Sequence, residues 1–458
     1  MDLLKIRKFL QDIDRGEFHL MNMTEILYID PGTGGMLFTI LFGLFGVVVF
    51  SFRVLLMKMK FRASGGKSAK INGHKIPLAV FAENKRYWNI FGPLLDELEK
   101  RKQRTVYMTC SEDDPVFEKD YEYIESEFIG KGNKAFSRLN LLNASVVLST
   151  TPSLDVFQWK RSKNVDYYIH IPHAPNDITL YRMFGIDHYD ALILSGAYQE
   201  KEIRQLEEKR GLKAKEIELA GIPYMDEMKK KLETSGEVPA HERTVLLAPS
   251  WGESGILSKY GESIIDALIA TGYKLIIRPH PQSFDVEKEM LEKLMTKYDE
   301  SSGVEWNRDD NNFEVLRRSD ILISDFSGVI FDFSLVFDKP VIFTKAKFDP
   351  APYDAYWIED PLWMFEILPS LGLELTDENI ADIKGLIDRC IEDPSFGEGR
   401  DRARSETWVN IGQGAERAAD FVIRKLGEVK AKRAEEEKIA QEAAKNKTGK
   451  FVLTKGKP

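Results

Sequence analysis

Residues 321–343, ILISDFSGVIFDFSLVFDKPVIF, hold the reading that decides the fold. A short apolar run ends in the polar knot Ser324-Asp325-Phe326-Ser327-Gly328. A second apolar run follows at helical spacing, and a third begins after Lys339-Pro340. Strand, turn, helix and strand in this order predict a parallel pair with its crossover helix. The knot then sits where a strand ends and a helix begins. Helix-start amides carry partial positive charge and suit a phosphate. Gly328 lets a ligand approach the backbone, Ser324 and Ser327 offer hydroxyls, and Asp325 reads more naturally as a cap than as a phosphate ligand.

The same alternation extends both ways. Downstream of a polar boundary at 229–243, TVLLAPS (244–250), YKLIIRPH (273–280), DILISD (320–325) and PVIFT (340–344) read as strands of one doubly wound sheet. Upstream, IPLAVFA (76–82), TVYMTC (105–110), ASVVLST (144–150), DYYIHI (166–171) and ALILSG (191–196) predict a second such sheet, with charged helices between several of them. The expected organisation is an α/β pair of Rossmann-like domains. One spans 76–235 and binds an acceptor; the other spans 236–424 and binds a donor. A charged helical or frayed tail at 425–458 follows.

Ahead of both domains stands the run Pro31–Phe52, with no charged residue; extension to Met57 adds only Arg53. It is long enough to cross a bilayer, and no cleavage site follows it. The expectation is a retained anchor over 31–57, the alternative being a buried core helix. Arg53, Lys58, Lys60, Arg62, Lys67 and Lys70 follow it without an acid among them. The positive-inside rule then leaves 1–30 outside and puts the basic linker 58–75 and both domains in the cytoplasm, on a single-pass cell-membrane protein. The linker's charge can also hold anionic headgroups.

Bulk properties narrow the function. The 458-residue chain is 43% hydrophobic with a net charge of −9, which argues against a nucleic-acid partner. Its two cysteines, Cys110 and Cys390, form no CxxC and give neither a disulfide framework nor a zinc finger. GGKS (65–68) lacks the upstream glycine of a P-loop, GKGNKA (130–135) matches a dinucleotide loop only loosely, and GxSxG is absent. The one Asp-x-Asp, Asp12–Asp14, precedes the apolar run, so a metal-dependent nucleotide-sugar site of that kind is not expected. No metal and no cofactor are expected.

Ligands of open parallel sheets bind outside the strands' carboxyl ends. In the second domain those ends carry Trp251 to Ser254, Arg278-Pro279-His280-Pro281, and the 324–328 knot. Arg278 offers a bidentate phosphate contact, and His280 can donate to developing phosphate charge. Each motif also has a plain structural reading, as a capped turn or a proline-stiffened loop; two such ends in one sheet favour the ligand site. In the first domain, YYIHIPHAPND (167–177) carries His170 and His173. His170 fits a core position, and His173, in the loop, fits a general base for an attacking hydroxyl. Zinc is a weaker reading of His-x-x-His, since no third ligand is near in sequence.

LLAPSWGESG, KLIIRPHPQ and SDILISDFSGVIFDFSLVFDKPVIF, in this order and spacing, resemble the CDP-glycerol glycerophosphotransferase family of teichoic-acid primases and polymerases. AGIPYMD (220–226) resembles that family's Gly-x-Pro turn between domains. The resemblance covers roughly residues 140–420. It implies a glycosyltransferase-B-like architecture, with two domains facing a cleft at the cytoplasmic membrane face. It also implies transfer of glycerol phosphate, or another polyol phosphate such as ribitol phosphate, from a CDP-alcohol to a hydroxyl of a lipid-linked or surface-glycan acceptor, releasing CMP. His280 and Arg278 would then hold the diphosphate. Ser324, Asp325, Ser327 and Gly328 would hold phosphate or glycerol, with Trp251 and Ser254 beside them, and His173 would act as base. Three positions depart from the family pattern: Ala174-Pro175-Asn176-Asp177 replaces Gly-Thr and a lysine, Tyr224-Met225 replaces a basic residue and Asn, and Gly-Glu-Ser follows Trp251. Two other functions fit the same architecture, a nucleotide-sugar glycosyltransferase and a non-catalytic scaffold of a polymer-export complex.

Overall fold

In the computed structural model, which describes residues 75–309, 311–345 and 348–453, the opening stretch forms the expected unit. Strand β11 (Ile321–Ser324) leads through the knot into a helical turn at Val329–Phe331. The helix widens to π geometry over Asp332–Val336 before strand β12 (Val341–Phe343). β12 lies beside β11 in parallel register, Leu322 opposite Val341. The intervening Asp338-Lys339 is fixed by charge. Lys339 Nζ donates to the carbonyls of Leu316, Arg317 and Ser319 at 3.2, 2.7 and 2.6 Å, and Asp338 accepts from Arg400 Nε at 2.8 Å.

Among the described residues, thirteen strands build two all-parallel sheets. The first holds β1 (Ile76–Ala82), β2 (Thr105–Thr109), β3 (Ile124–Phe128), β4 (Ala144–Ser149), β5 (Val165–His170), β6 (Ala191–Leu194) and β7 (Glu216–Leu219), in the order β3-β2-β1-β4-β5-β6-β7. The second adds β8 (Thr244–Leu247), β9 (Lys274–Ile277), β10 (Val304–Trp306) and β13 (Gly372–Glu374), in the order β10-β9-β8-β11-β12-β13. Both are doubly wound, with the strand order reversing between β1 and β4 and between β8 and β11. The inner strands β1, β4, β8 and β11 are buried on both faces, which is why they read as near-continuous apolar runs. Four strands escaped the sequence reading: β3, β7, β10 and β13, the edges of the two sheets.

Both sheets belong to one compact unit. The Gly-x-Pro turn joins them. Gly221 has φ +101, and a Cβ there would stand 2.2 Å from the Val409 carbonyl oxygen, so only glycine fits. Pro223 opens the connecting helix Pro223–Thr234. Tyr224, one of the departures from the family pattern, donates to Asp332 Oδ1 at 3.0 Å. Asp226 accepts from Trp408 Nε1 (2.8 Å) and from the amides of Gly412 (2.7 Å) and Gly414 (2.8 Å), which starts the final helix Gly414–Leu453. That helix returns to the first sheet, burying Phe421, Val422 and Leu426 in the core shared with β4 and the helix Trp88–Lys100. From Lys430 to Glu442 its charged residues face solvent.

The apolar run 31–57, its leader 1–30 and the linker up to residue 74 lie outside the described residues. Among the described residues no helix is long and apolar enough to cross a membrane.

Candidate active site

The carboxyl ends of the two sheets converge. In the second domain, the knot after β11 braces the loop after β8. Ser324 is fully buried and its hydroxyl donates to the Ala248 carbonyl at 2.6 Å. Asp325 is also fully buried. Its carboxylate accepts from the amides of Ser250 (3.0 Å), Ile256 (3.0 Å) and Phe326 (2.8 Å). Asp325 therefore caps a helix, but it is the neighbouring one, Ile256–Tyr260, rather than its own. These two residues hold the wall of the site in shape. Ser327 and Gly328 are half-buried, and a Cβ on Gly328 would meet nothing within 4 Å, so the backbone there faces open space. Trp251 is 45% exposed at the end of β8, and Ser254 is exposed in the same turn. Glu287 steadies this turn by accepting from the Gly252 amide at 3.0 Å.

Arg278 and His280 leave the end of β9 beside this wall. Arg278 donates to Asn307 Oδ1, and its backbone amide continues the β8 ladder through Leu247 at 2.8 Å. His280 Nδ1 accepts from the Gln282 amide at 3.1 Å, which puts the proton of the neutral ring on Nε2. Burial holds the His280 pKa below its ordinary value. The Arg86 charge acts in the same direction, and the carboxylates of Asp325 and Glu287 oppose it.

The structure separates the two first-domain histidines. His170 closes β5 inside the core. It is fully buried, with Nε2 3.1 Å from the Tyr181 hydroxyl and its ring 4.9 Å from that of Tyr189. Burial drives its pKa to about 3, with the nearby His173 adding to the effect. His173 lies in the loop, its ring 5.4 Å from Tyr87 and 6.0 Å from Tyr181. Burial first, then the charge of Arg86, lowers its pKa to about 4. His173 is therefore a neutral imidazole at pH 7, the form a general base requires.

The unusual Ala-Pro-Asn-Asp sequence after His173 is explained by contacts with the other domain. The Pro175 carbonyl accepts from Thr407 Oγ1 at 2.6 Å. Asp177, 2% exposed, accepts from the amides of Trp363 (2.7 Å) and Met364 (2.9 Å) and caps the second-domain helix Trp363–Leu371. The segment that carries the candidate base is thereby tied to the domain that carries the candidate phosphate site.

Arg86 and Tyr87 were missed by the sequence reading. They follow β1 at the first sheet's reversal point, where the carboxyl-end rule applied to FAENKRYW would have found them. Among the described residues, no group of three His, Cys, Asp or Glu side chains stands close enough to hold a metal ion.

Buried neutral histidines make stability depend on pH. The unfolded chain takes up protons near pH 6.5, whereas folded His170 and His173 resist protonation until about 3 and 4. Their contribution is complete above pH 6.5 and is lost as pH falls toward 4. His170→Gln is expected to flatten the stability–pH slope in that window by up to ~1.4 kcal/mol per pH unit. Thermal unfolding from pH 4 to 7 checks this, and parallel wild-type and variant curves would count against it.

Two doubly wound sheets joined by a Gly-x-Pro turn, with polar strand ends converging, define an α/β fold of glycosyltransferase-B-like architecture. Residues 180–356 match the family model described as CDP-Glycerol:Poly(glycerophosphate) glycerophosphotransferase. This is the family the motifs resembled, and its enzyme class is the one expected. The match includes Trp251, Arg278, His280 and the 324–328 knot and begins after His173. A comparison with curated proteins found no match. Among solved structures, the fold is similar to that of MnaA from S. aureus in a co-structure with UDP. The identity is 13%, over 76% of this chain and 96% of that one, with a TM-score of 0.52. It is also similar to UDP-GlcNAc 2-epimerase from Methanocaldococcus jannaschii in complex with UDP-GlcNAc and UDP (13% identity, 76% and 99% covered, TM-score 0.50). A third likeness is UDP-N-acetylglucosamine 2-epimerase from Rickettsia bellii (12%, 78% and 98%, 0.50). At such identity the likeness concerns the fold.

Proposed function

We propose that the protein transfers glycerol phosphate, or a related polyol phosphate, from a CDP-alcohol to a hydroxyl of a lipid-linked or surface-glycan acceptor. The acceptor oxygen attacks the phosphorus that bears the polyol, and its proton passes to neutral His173. The bond to the bridging oxygen breaks, and CMP leaves with the electron pair. Arg278 and the Nε2 proton of His280 meet the diphosphate, Trp251 offers an exposed ring to the base, and the open backbone at Ser327-Gly328 leaves room for the phosphorylated polyol. Such a transfer needs positioning and charge stabilisation more than covalent catalysis. The observation that supports this reading is that the charge of Arg86 reaches both the neutral His173 of its own domain and His280 of the other, beside Arg278, in a chain whose residues 180–356 match a glycerophosphotransferase family model.

In the same reading, the run 31–57 anchors the chain and both domains work at the cytoplasmic face of the cell membrane. Alkaline extraction of membranes should leave the full chain in the pellet; its release would remove the anchor. For the chemistry, the detergent-purified full chain is incubated with CDP-glycerol and membrane lipid extract. The expected result is CMP release that requires the extract. Release from another CDP-polyol alone would change the alcohol. Release of a nucleoside diphosphate from a nucleotide sugar would replace the reading with glycosyl transfer, and no turnover of any donor would favour a scaffold.

A further inference from the structure

Arg86 is an exposed arginine with no obvious structural employment. It follows β1 at the point where the first sheet's strand order reverses, the position at which such sheets meet their ligands. Its backbone is fixed: the amide donates to Asn84 Oδ1 at 3.0 Å, and the adjacent Tyr87 ring lies 5.4 Å from that of His173. Its guanidinium, by contrast, forms no hydrogen bond or ion pair with any described residue. Its charge nevertheless acts on His173 in its own domain and on His280 in the other. A cation placed near two histidines from opposite sheets, and left unpaired, sits where an anion would lie between the domains. Among the carboxylates, Asp325 acts most strongly on His280. Its oxygens are already engaged by three backbone amides, so it is not free to neutralise Arg86.

We propose that Arg86 is the first domain's contact to the donor's diphosphate, closing from above a phosphate site whose floor is Arg278 and His280. The assignment rests on the donor site described under the proposed function and extends it to a residue outside the segment that matches the family model. Negative charge grows on the bridging oxygen as the bond to the transferred phosphorus breaks. A guanidinium there neutralises that charge and binds planar phosphate oxygens in a fork. It also gives the donor a role in holding the two domains together, because the same anion then touches side chains from both.

The test uses the full chain in detergent, with CDP, UDP and cytidine as binding probes and CDP-glycerol with lipid extract for turnover. Arg86→Ala is expected to weaken diphosphate binding about 10- to 100-fold, the effect of removing one charged hydrogen-bond partner. Cytidine binding should be unchanged, and Arg86→Lys should recover part of the loss. Thermal unfolding should not shift, since the side chain supports nothing in the fold. A second readout separates contact from mere shape: without the Arg86 charge, the NMR titrations of His173 and His280 both move to higher pH. Wild-type affinity for CDP and UDP in Arg86→Ala overturns the proposal. If UDP is the diphosphate that binds and Arg86→Ala weakens it, the Arg86 contact stands while glycerophosphate transfer falls. Failure of every diphosphate to bind the wild type overturns both.

Discussion

His280→Ala is expected to lower CMP release from the competent CDP-alcohol by about 10²–10³-fold, the range for losing one preorganised donor at developing charge. The expectation follows from a tautomer. Because Nδ1 accepts from the Gln282 amide, the ring's proton is on Nε2, the atom left to meet a phosphate oxygen. Burial and the Arg86 charge keep the ring neutral near pH 7, so it contributes a hydrogen bond rather than a full charge. His280→Gln, which retains an N–H donor, should keep more activity than His280→Ala. His173→Ala should lose about 10²–10⁴-fold through kcat, as a general base does, with little change in donor KM. Steady-state kinetics with varied donor distinguishes the two. Turnover near wild type in His280→Ala would falsify the phosphate-site assignment.

The limits of the sequence reading have physical causes. Every inner strand announced itself, because a parallel strand covered on both faces is mostly apolar, even where β5 and β9 carry one exposed charge each. The four missed strands are edges. β3 is Ile-Glu-Ser-Glu-Phe and β7 is Glu-Ile-Glu-Leu, half-exposed segments that pair on one side only. Charge on such strands discourages pairing with another chain, and the same charge hides them from an apolar pattern. β10 and β13 are three residues each, too short to carry a period.

At the site, chemistry was more legible than geometry. The carboxyl-end rule located Arg278, His280 and the knot, because polar residues break so sharply from the apolar strands before them. It could not distinguish a side chain that faces a ligand from one that braces the wall. Ser324 and Asp325 stand in the knot, yet both spend their hydrogen bonds on the β8 loop. That distinction depends on where Ala248, Ser250 and Ile256 come to lie, more than sixty residues away in sequence. The Asp177 cap on the Trp363 helix is invisible for the same reason: it joins residues from different domains. Arg86 is hard to read in sequence because the end of β1, FAENKRYW, carries no histidine, glycine or proline to mark a site.

Arg210→Met is expected to be the most destabilising single change away from the strand ends. Arg210 closes the helix Ala197–Arg210 in the first domain. Its Nη1 donates to Asp187 and its Nη2 to Asp354, each at 2.6 Å, and the three side chains are 5%, 7% and 0% exposed. Asp354 comes from the second-domain segment between β12 and the Trp363 helix, so the pair spans the two sheets. Phe184 and Trp357 cover the guanidinium from both domains, at 5.1 and 5.2 Å. The amides of Phe184 (2.7 Å) and Gly185 (3.0 Å) hold the Asp354 carboxylate. Burial raises the Asp354 pKa even with Arg210 present, so the cost of desolvating the carboxylate is only partly offset in the folded chain. Methionine keeps the packing volume but leaves the two buried carboxylates without the cation that pairs them, at a cost of about 3–5 kcal/mol. The variant's carboxyls should hold protons more tightly when folded than when unfolded, so its deficit should shrink as pH falls below neutrality. Adding Asp354→Asn should restore part of the loss, because only one uncompensated acid then remains. Chemical unfolding of the three proteins at pH 5 and 7.5 measures all of this. A deficit below ~1 kcal/mol at both pH values would place the interaction with solvent-exposed pairs and remove it as the link between the domains.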